Sequence, residues 1–316
     1  MNDYFTSSKE DWLMKRKNGI GGSDAAAILG LNRWKSPIEV YYEKIAEDPI
    51  DKPETAIMTF GHMAEDIIAG WWEKETGRKL ARDAKPGEYH MRFHPEYDWI
   101  FCDLDRVILP DQEFDTPGVF EAKSTTSYYI KTWTTEIPLE YFAQVQHNLF
   151  ATTWIHGALG ILIVDQRDFD QKPLLPDENY QKLMFDELKR FWFDNVLEQV
   201  PPEPKTEQDL SILYPKSDPE KTIEATETEY NQVEAIKELK AQKKEVEAQL
   251  ESLIEEVKLH MKDAEFLMYD EKVIATWKSA ADSKYFDAKG FKEANPILYE
   301  EFVKTKAGSR KFLPKK

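Results

Sequence analysis

Two short apolar runs joined by a polar turn constrain this chain more than anything else in it: Phe101-Cys102-Asp103-Leu104-Asp105-Arg106-Val107 and Val119-Phe120-Glu121-Ala122-Lys123. Their alternation predicts the two strands of a hairpin. The residues that interrupt the apolar pattern are carboxylates and a lysine. Glu121 and Lys123 are two apart, so on a strand they leave one face while Ala122 leaves the other. With Asp105 on the neighbouring strand, all three groups reach one volume. Carboxylates that close repel each other unless something positive lies between them, and a hard divalent cation such as Mg²⁺, with oxygen ligands and retained waters, answers that need. Lys123 would then position or deprotonate an attacking water, or steady charge gathering on phosphorus. Taken alone, the same spacing also fits a surface hairpin whose Glu and Lys pair with each other.

Three further blocks accompany the hairpin. Trp12 to Gly30 holds a basic helix end (Lys15, Arg16, Lys17), a glycine-rich turn, a Ser23-Asp24 cap and a small-residue helix. Glycines allow close approach to a phosphate, a new helix start offers free N–H groups, and Arg16 adds a fork of donors. An ordinary helix-turn-helix connection is the alternative. Phe60 to Trp72 predicts an amphipathic helix with Met63, Ile67 and Trp71 on one stripe and Glu65 off it. Tyr141 to Ala151 predicts another helix, with Gln144 and Asn148 one turn apart.

The ordered set Arg16, Gly-Gly-Ser23-Asp24, Gly61-x-x-x-Glu65, Asp105, Glu121-x-Lys123 and Ala-Gln144-Val-Gln146 resembles the YqaJ-like viral recombinase family. These are phage exonucleases of the PD-(D/E)xK superfamily and relatives of lambda exonuclease. The resemblance spans residues 8 to 165, about half the chain. It implies an α/β, restriction-endonuclease-like core with a central mixed β-sheet flanked by helices. It also implies that Asp105, Glu121 and Lys123 hold the three catalytic positions, with the Ala122 backbone carbonyl a further metal ligand. Glu65 falls on the helix position that supports a second metal or the attacking water. Arg16 and Ser23 match residues that hold a terminal 5′-phosphate, and Gln144 matches a polar residue beside the centre. The proline of the signature is replaced by Leu104. Asp103, two residues earlier on the same face, competes for the metal role, but the pattern aligns on Asp105.

By the same resemblance the expected activity is a 5′-to-3′ double-strand DNA exonuclease using two Mg²⁺ ions, with Mn²⁺ able to substitute. It would release 5′-mononucleotides from 5′-phosphorylated duplex ends and leave 3′ overhangs for a phage single-strand annealing protein. Relatives form ring-shaped trimers. The alternatives are an endonuclease of the same superfamily and a non-catalytic DNA-binding or recruitment protein with a nuclease-like fold.

Composition bounds this reading. The single cysteine, Cys102, excludes an internal disulfide framework and a cysteine-ligated zinc or iron–sulfur site. Neither a secretory leader nor an apolar run long enough to span a membrane is present, so host cytoplasm is the expected location. A net charge of −17 argues against a generic nucleic-acid coat. Basic residues nevertheless cluster at Lys15 to Lys17, at Arg78, Lys79 and Arg82, and at Lys304, Lys306, Arg310, Lys311, Lys315 and Lys316. An acidic exterior with a positive lining would focus DNA on a channel.

The expected domains are a nuclease core at 1–200, a proline-broken linker at 201–222, and an arm at 223–316. Within the core, 155–165 predicts a buried strand and 178–198 an amphipathic helix rich in Phe. In the arm, Ile236, Leu239, Val246, Leu250, Leu253 and Val257 repeat at heptad spacing, interrupted at Lys243, which predicts a helical hairpin or short coiled coil. A β-hairpin turning at Asp270-Glu271 and a basic tail follow.

Overall fold

The structure, a computed structural model, describes residues 3–51, 53–131, 136–305 and 308–315. Lys306 and Lys316 of the basic tail lie outside the described residues. The chain forms two compact units that meet in sequence between Leu213 and Tyr214.

The first unit begins with β1 (Asp3–Thr6), α1 (Lys9–Lys17), α2 (Gly22–Ile28), α3 (Pro37–Ile45) and α4 (Ala56–Thr76). Local chemistry sets these boundaries. Ser8 caps α1, Ser36 and Glu39 form a reciprocal capping box at α3, and Thr55 caps α4. Gly77, at φ 72°, ends α4 in the left-handed region that glycine enters without strain. Next come β2 (Leu80–Ala81), β3 (Tyr89–Phe93), β4 (Phe101–Cys102), β5 (Arg106–Ile108), β6 (Gly118–Thr125), α5 (Ser127–Ile130), α6 (Leu139–Thr152), β7 (Gly157–Ile163), β8 (Asp168–Leu174) and α7 (Glu178–Arg190). A π-helical turn, Phe191–Leu197, prolongs α7, and α8 (Glu207–Leu213) closes the unit.

The central sheet has the order β2-β5-β6-β7-β8, with β6 and β7 parallel and the other pairs antiparallel. This is the mixed α/β core that the sequence predicts. All seven residues of β7 are buried, as an apolar strand covered on both faces requires. Period-two alternation divides β6 between two cores. Phe120 and Ala122 pack with Ala64, Ile68 and Trp72 of α4, whereas Val119 packs with Val145 and Leu149 of α6. Glu121 and Lys123 share Val119's face, so α6 covers them.

Three expectations need correction or refinement. Residues 101–107 are not one strand: β4 pairs with β3 in a separate three-stranded sheet of order β1-β3-β4, and only from Arg106 does the chain join the central sheet. Residues 103–105 are the crossing between sheets. On α4 the buried face is Ala64, Ile68 and Trp72, one residue round from the predicted stripe, and Met63 and Ile67 are 72% and 59% exposed. The reason is close approach: a Cβ at Gly160 of β7 would lie 2.8 Å from Phe120 and 2.9 Å from Ile68, so a bare strand position seats the helix at Ile68. Finally, the boundary at 213/214 falls inside the segment read as linker, and α8 packs against α3 with Asp209 buried.

In the second unit a capping box of Thr226 and Glu229 starts the 35-residue α9 (Glu227–Met261). Leu239, Val246, Leu250 and Leu253 of its heptad series are exposed. β9 (Phe266–Tyr269) and β10 (Lys272–Thr276) form a hairpin whose turn residues, Asp270 and Glu271, have φ of 47° and 64°. Two short helices, α10 (Ala288–Ala294) and α11 (Pro296–Phe302), follow. Among the described residues no helix is long and apolar enough to cross a membrane.

Candidate active site

At the end of β5, where the chain leaves one sheet for the other, Asp105 accepts the backbone N–H of Ala122 at 2.8 Å. A strand residue sends its N–H and C=O to the same edge, so the Ala122 carbonyl faces the side on which Asp105 lies. Glu121 is 1% exposed and is held by three donors: Lys123 Nζ at 2.6 Å, Gln144 Nε2 at 2.6 Å and Asn148 Nδ2 at 3.3 Å. The one-turn spacing of Gln144 and Asn148 on α6 therefore places both amides on one carboxylate. Asn148 was visible in sequence only as Gln144's neighbour.

Burial first, and then the charge of Asp105, raise the Glu121 carboxyl above its ordinary range despite Lys123. Burial works against the Lys123 ammonium, but Glu121 and Asp105 outweigh it and hold the proton on the lysine. In this arrangement the lysine is a cation that donates a hydrogen bond to Glu121.

Glu65 of α4 comes to this centre from the opposite face of the sheet. Burial raises its carboxyl, Asp105 adds to that, and Arg106 opposes it. Arg106 is buried, approaches Glu65 Oε2 at 3.4 Å, and binds both Asp66 and the backbone oxygen of Asp105. Asp66 in turn binds Arg82. The period of the hairpin marks Asp105 but gives no hint that its neighbour is the counter-charge of Glu65.

Arg16 and Ser23 are also adjacent, with Arg16 Nη2 3.5 Å from Ser23 Oγ. The guanidinium is fixed by Asp103 at 2.6 Å, and Asp103 also accepts from the Trp12 indole at 3.0 Å. Asp103 thus pairs with Arg16, whereas Asp105 is bonded to Ala122 of β6. The helix start differs from the sequence reading: Gly21 is the N-cap, and Asp24 lies inside α2, 1% exposed, within 2.9 Å of Lys35 and 2.7 Å of Lys44. The glycines serve packing as well: a Cβ at Gly21 would meet Phe101 at 2.9 Å, and one at Gly22 would meet Asn148 at 2.4 Å.

Among the described residues no three His, Cys, Asp or Glu side chains close around a point that would hold a metal ion. Each carboxylate is instead engaged by the chain's own donors: Glu65 by Arg106, Asp105 by the Ala122 N–H, and Glu121 by Lys123 and the two amides. The donor chemistry still fits a hard divalent cation. Glu65, Asp105, Glu121 and the Ala122 carbonyl offer only oxygen, and after burial it is the charge of Asp105 that raises the carboxyls of Glu65 and Glu121, a surplus of negative charge that a cation relieves.

Residues 11–154 match the family model described as the YqaJ-like viral recombinase domain. The chain is 31% identical over 318 residues to the uncharacterized protein YqaJ of Bacillus subtilis (strain 168), a match that covers 96% of this chain and 93% of that one. Among solved structures it is similar to an alkaline exonuclease (LHK-Exo) from Laribacter hongkongensis, at 17% identity and a TM-score of 0.48 over 61% of this chain and 94% of that one. A phage related exonuclease from Haemophilus somnus 129PT is similar at 10% identity and a TM-score of 0.42, over 57% of this chain and 96% of that one.

Proposed function

The chain belongs to the YqaJ-like viral recombinase domain family, and from that premise we propose that it is a Mg²⁺-dependent DNA exonuclease that degrades one strand of a linear duplex from 5′ to 3′. The observation that carries the reading is the convergence of Asp105, pinned by the Ala122 N–H, on the strand that bears the Glu121–Lys123 pair.

Asp105, Glu121, Glu65 and the Ala122 carbonyl would hold the metal, as two Mg²⁺ ions with Mn²⁺ as a substitute. A divalent cation bound there supplies Lewis acidity toward a phosphate and lowers the pKa of a water. The chain's own groups position the reaction. Gln144 and Asn148 fix the Glu121 carboxylate, and Lys123 brings a positive charge to the place where phosphoryl oxygens gain negative charge. Glu65, from the other face, accepts a hydrogen bond from the attacking water and orients it. Arg16, held ready by Asp103, and the Ser23 hydroxyl anchor the terminal 5′-phosphate, so that the next phosphodiester bond falls at Asp105 and Glu121.

The products would be 5′-mononucleotides and a duplex with a 3′ tail, a substrate for a phage single-strand annealing protein. A ring-shaped homotrimer around the duplex, in the host cytoplasm, completes the proposal. Its test is digestion of linear duplex labelled separately at its 5′ and 3′ ends, beside covalently closed circles. Early loss of the 5′ label with circles intact supports the exonuclease. Nicked circles would replace it with an endonuclease built on the same residues.

A further inference from the structure

The 35-residue α9 carries a heptad face that the chain itself leaves open. Leu239, Val246, Leu250 and Leu253 are each more than half exposed, and Val257 is 41% exposed. In heptad notation Ile236, Lys243, Leu250 and Val257 stand at a, and Leu239, Val246 and Leu253 at d. That spacing holds one apolar seam along a partner helix for about three heptads. Packing of such a face, more than propensity, is what stabilises a helix in water.

Charge along α9 comes in blocks. Residues 237–244 hold Lys237, Lys240, Lys243 and Lys244 against Glu238 alone, a net charge of +3. Residues 245–252 hold Glu245, Glu247 and Glu251 and no base, a net charge of −3. The blocks are equal in length and opposite in sign, and they meet in the middle of the seam. A second α9 running antiparallel about that midpoint lays each basic block along an acidic one, an attraction made twice. The same register sets Leu239 opposite Leu250 and Ile236 opposite Leu253 of the second copy.

Lys243 selects the direction. In a parallel, in-register pair it would face Lys243 of the second copy across the seam, with basic block on basic and acidic on acidic. In the antiparallel pair it lies opposite Val246, so its stem covers apolar surface while its ammonium turns outward, where Glu247 of its own helix is already 3.6 Å away. Sliding the antiparallel copy by one heptad keeps Leu239 and Val246 on apolar partners but lays residues 245–251 on themselves, acid against acid.

We infer that α9 is a self-association helix that pairs antiparallel with α9 of a second copy of this chain, about a twofold axis between residues 244 and 245. A threefold ring relates its copies by a rotation that cannot make such a pair, so the pairing joins chains that do not share a ring. The inference does not rest on the exonuclease reading.

The test uses the full-length protein. Light scattering should give an even number of chains for the wild type and half that number for Leu250→Glu, a change at a position exposed in the single chain. Lys240→Glu together with Lys244→Glu leaves the apolar seam intact and should raise the dissociation constant about tenfold. Direction is read with Leu239→Cys and Leu250→Cys, the native Cys102 being buried. A short bismaleimide should link these two variants to each other when they are mixed and link neither to itself, because like positions would lie about 16 Å apart along the pair. An odd number of chains in the wild type, a mass unchanged by Leu250→Glu, or a link within either single-cysteine protein would overturn the pairing.

Discussion

The Ala122 backbone N–H donates to the Asp105 carboxylate over 2.8 Å, and this one bond ties a residue that lies outside both strands to the strand carrying Glu121 and Lys123. Asparagine can accept the same bond without the charge. Asp105→Asn should therefore melt within a few degrees of wild type while cleavage falls on the order of 100-fold or more, the scale expected when a metal-binding carboxylate is lost. Parallel melting curves and initial rates check it, and a large drop in melting temperature would make Asp105 a structural residue.

Lys123 touches Glu121 at 2.6 Å and sits 5.6 Å from the Tyr141 ring. Lys123→Ala should remove turnover on the order of 100-fold while duplex affinity stays within about twofold, because the ammonium acts where charge develops. Equal loss of both, measured by cleavage and by gel shift, would mean that the lysine shapes the site without acting in it.

The Arg16 guanidinium is oriented by Asp103 and lies beside Ser23. Arg16→Ala should raise the KM for 5′-phosphorylated ends at least tenfold and leave 5′-hydroxyl ends nearly unchanged. An equal effect on both ends would take Arg16 out of the phosphate pocket.

What could be read in the sequence was what local periodicity encodes. Glu121 and Lys123 share a face because strands repeat every two residues, and Gln144 and Asn148 share a carboxylate because helices repeat every three to four. The hand-over between sheets at 103–105 was hidden, since Phe101, Cys102, Val107 and Ile108 are all buried and give one apolar signal on either side of it. Arg106 as the partner of Glu65, 41 residues away, and the two lysines around Asp24 depend on tertiary approach, which no local spacing reports. The face of α4 was misplaced by one residue because small Ala64 and bare Gly160 set the contact, while the larger Met63 and Ile67 dominate the apolar pattern.

Asp24 supplies a prediction about stability and pH. Burial alone would raise its carboxyl, but Lys35, Lys44 and Arg16 outweigh burial and hold it well below the usual carboxylate range. A folded value below the unfolded one, which is about 3.9, means that the contribution is fully present above pH ~4 and is lost as the pH falls through the folded value. Asp24→Asn strands Lys44, whose side chain is 4% exposed, and should cost about 3–5 kcal/mol at pH 7. The difference between variant and wild type in urea unfolding should shrink as the solution is acidified; a difference that stays constant below pH 4 would contradict the assignment.

A metal site built on Asp105 and Glu121 is tested most directly by the release of 5′ label from linear duplex by wild type and Glu121→Gln as Mg²⁺ is titrated from EDTA to millimolar concentration. No release is expected in EDTA, with a saturable rise with Mg²⁺ for the wild type and a rate lower on the order of 100-fold for the folded variant at each Mg²⁺ concentration. Equal release by the two proteins, or release that persists in EDTA, would contradict a metal-dependent site built on Asp105 and Glu121.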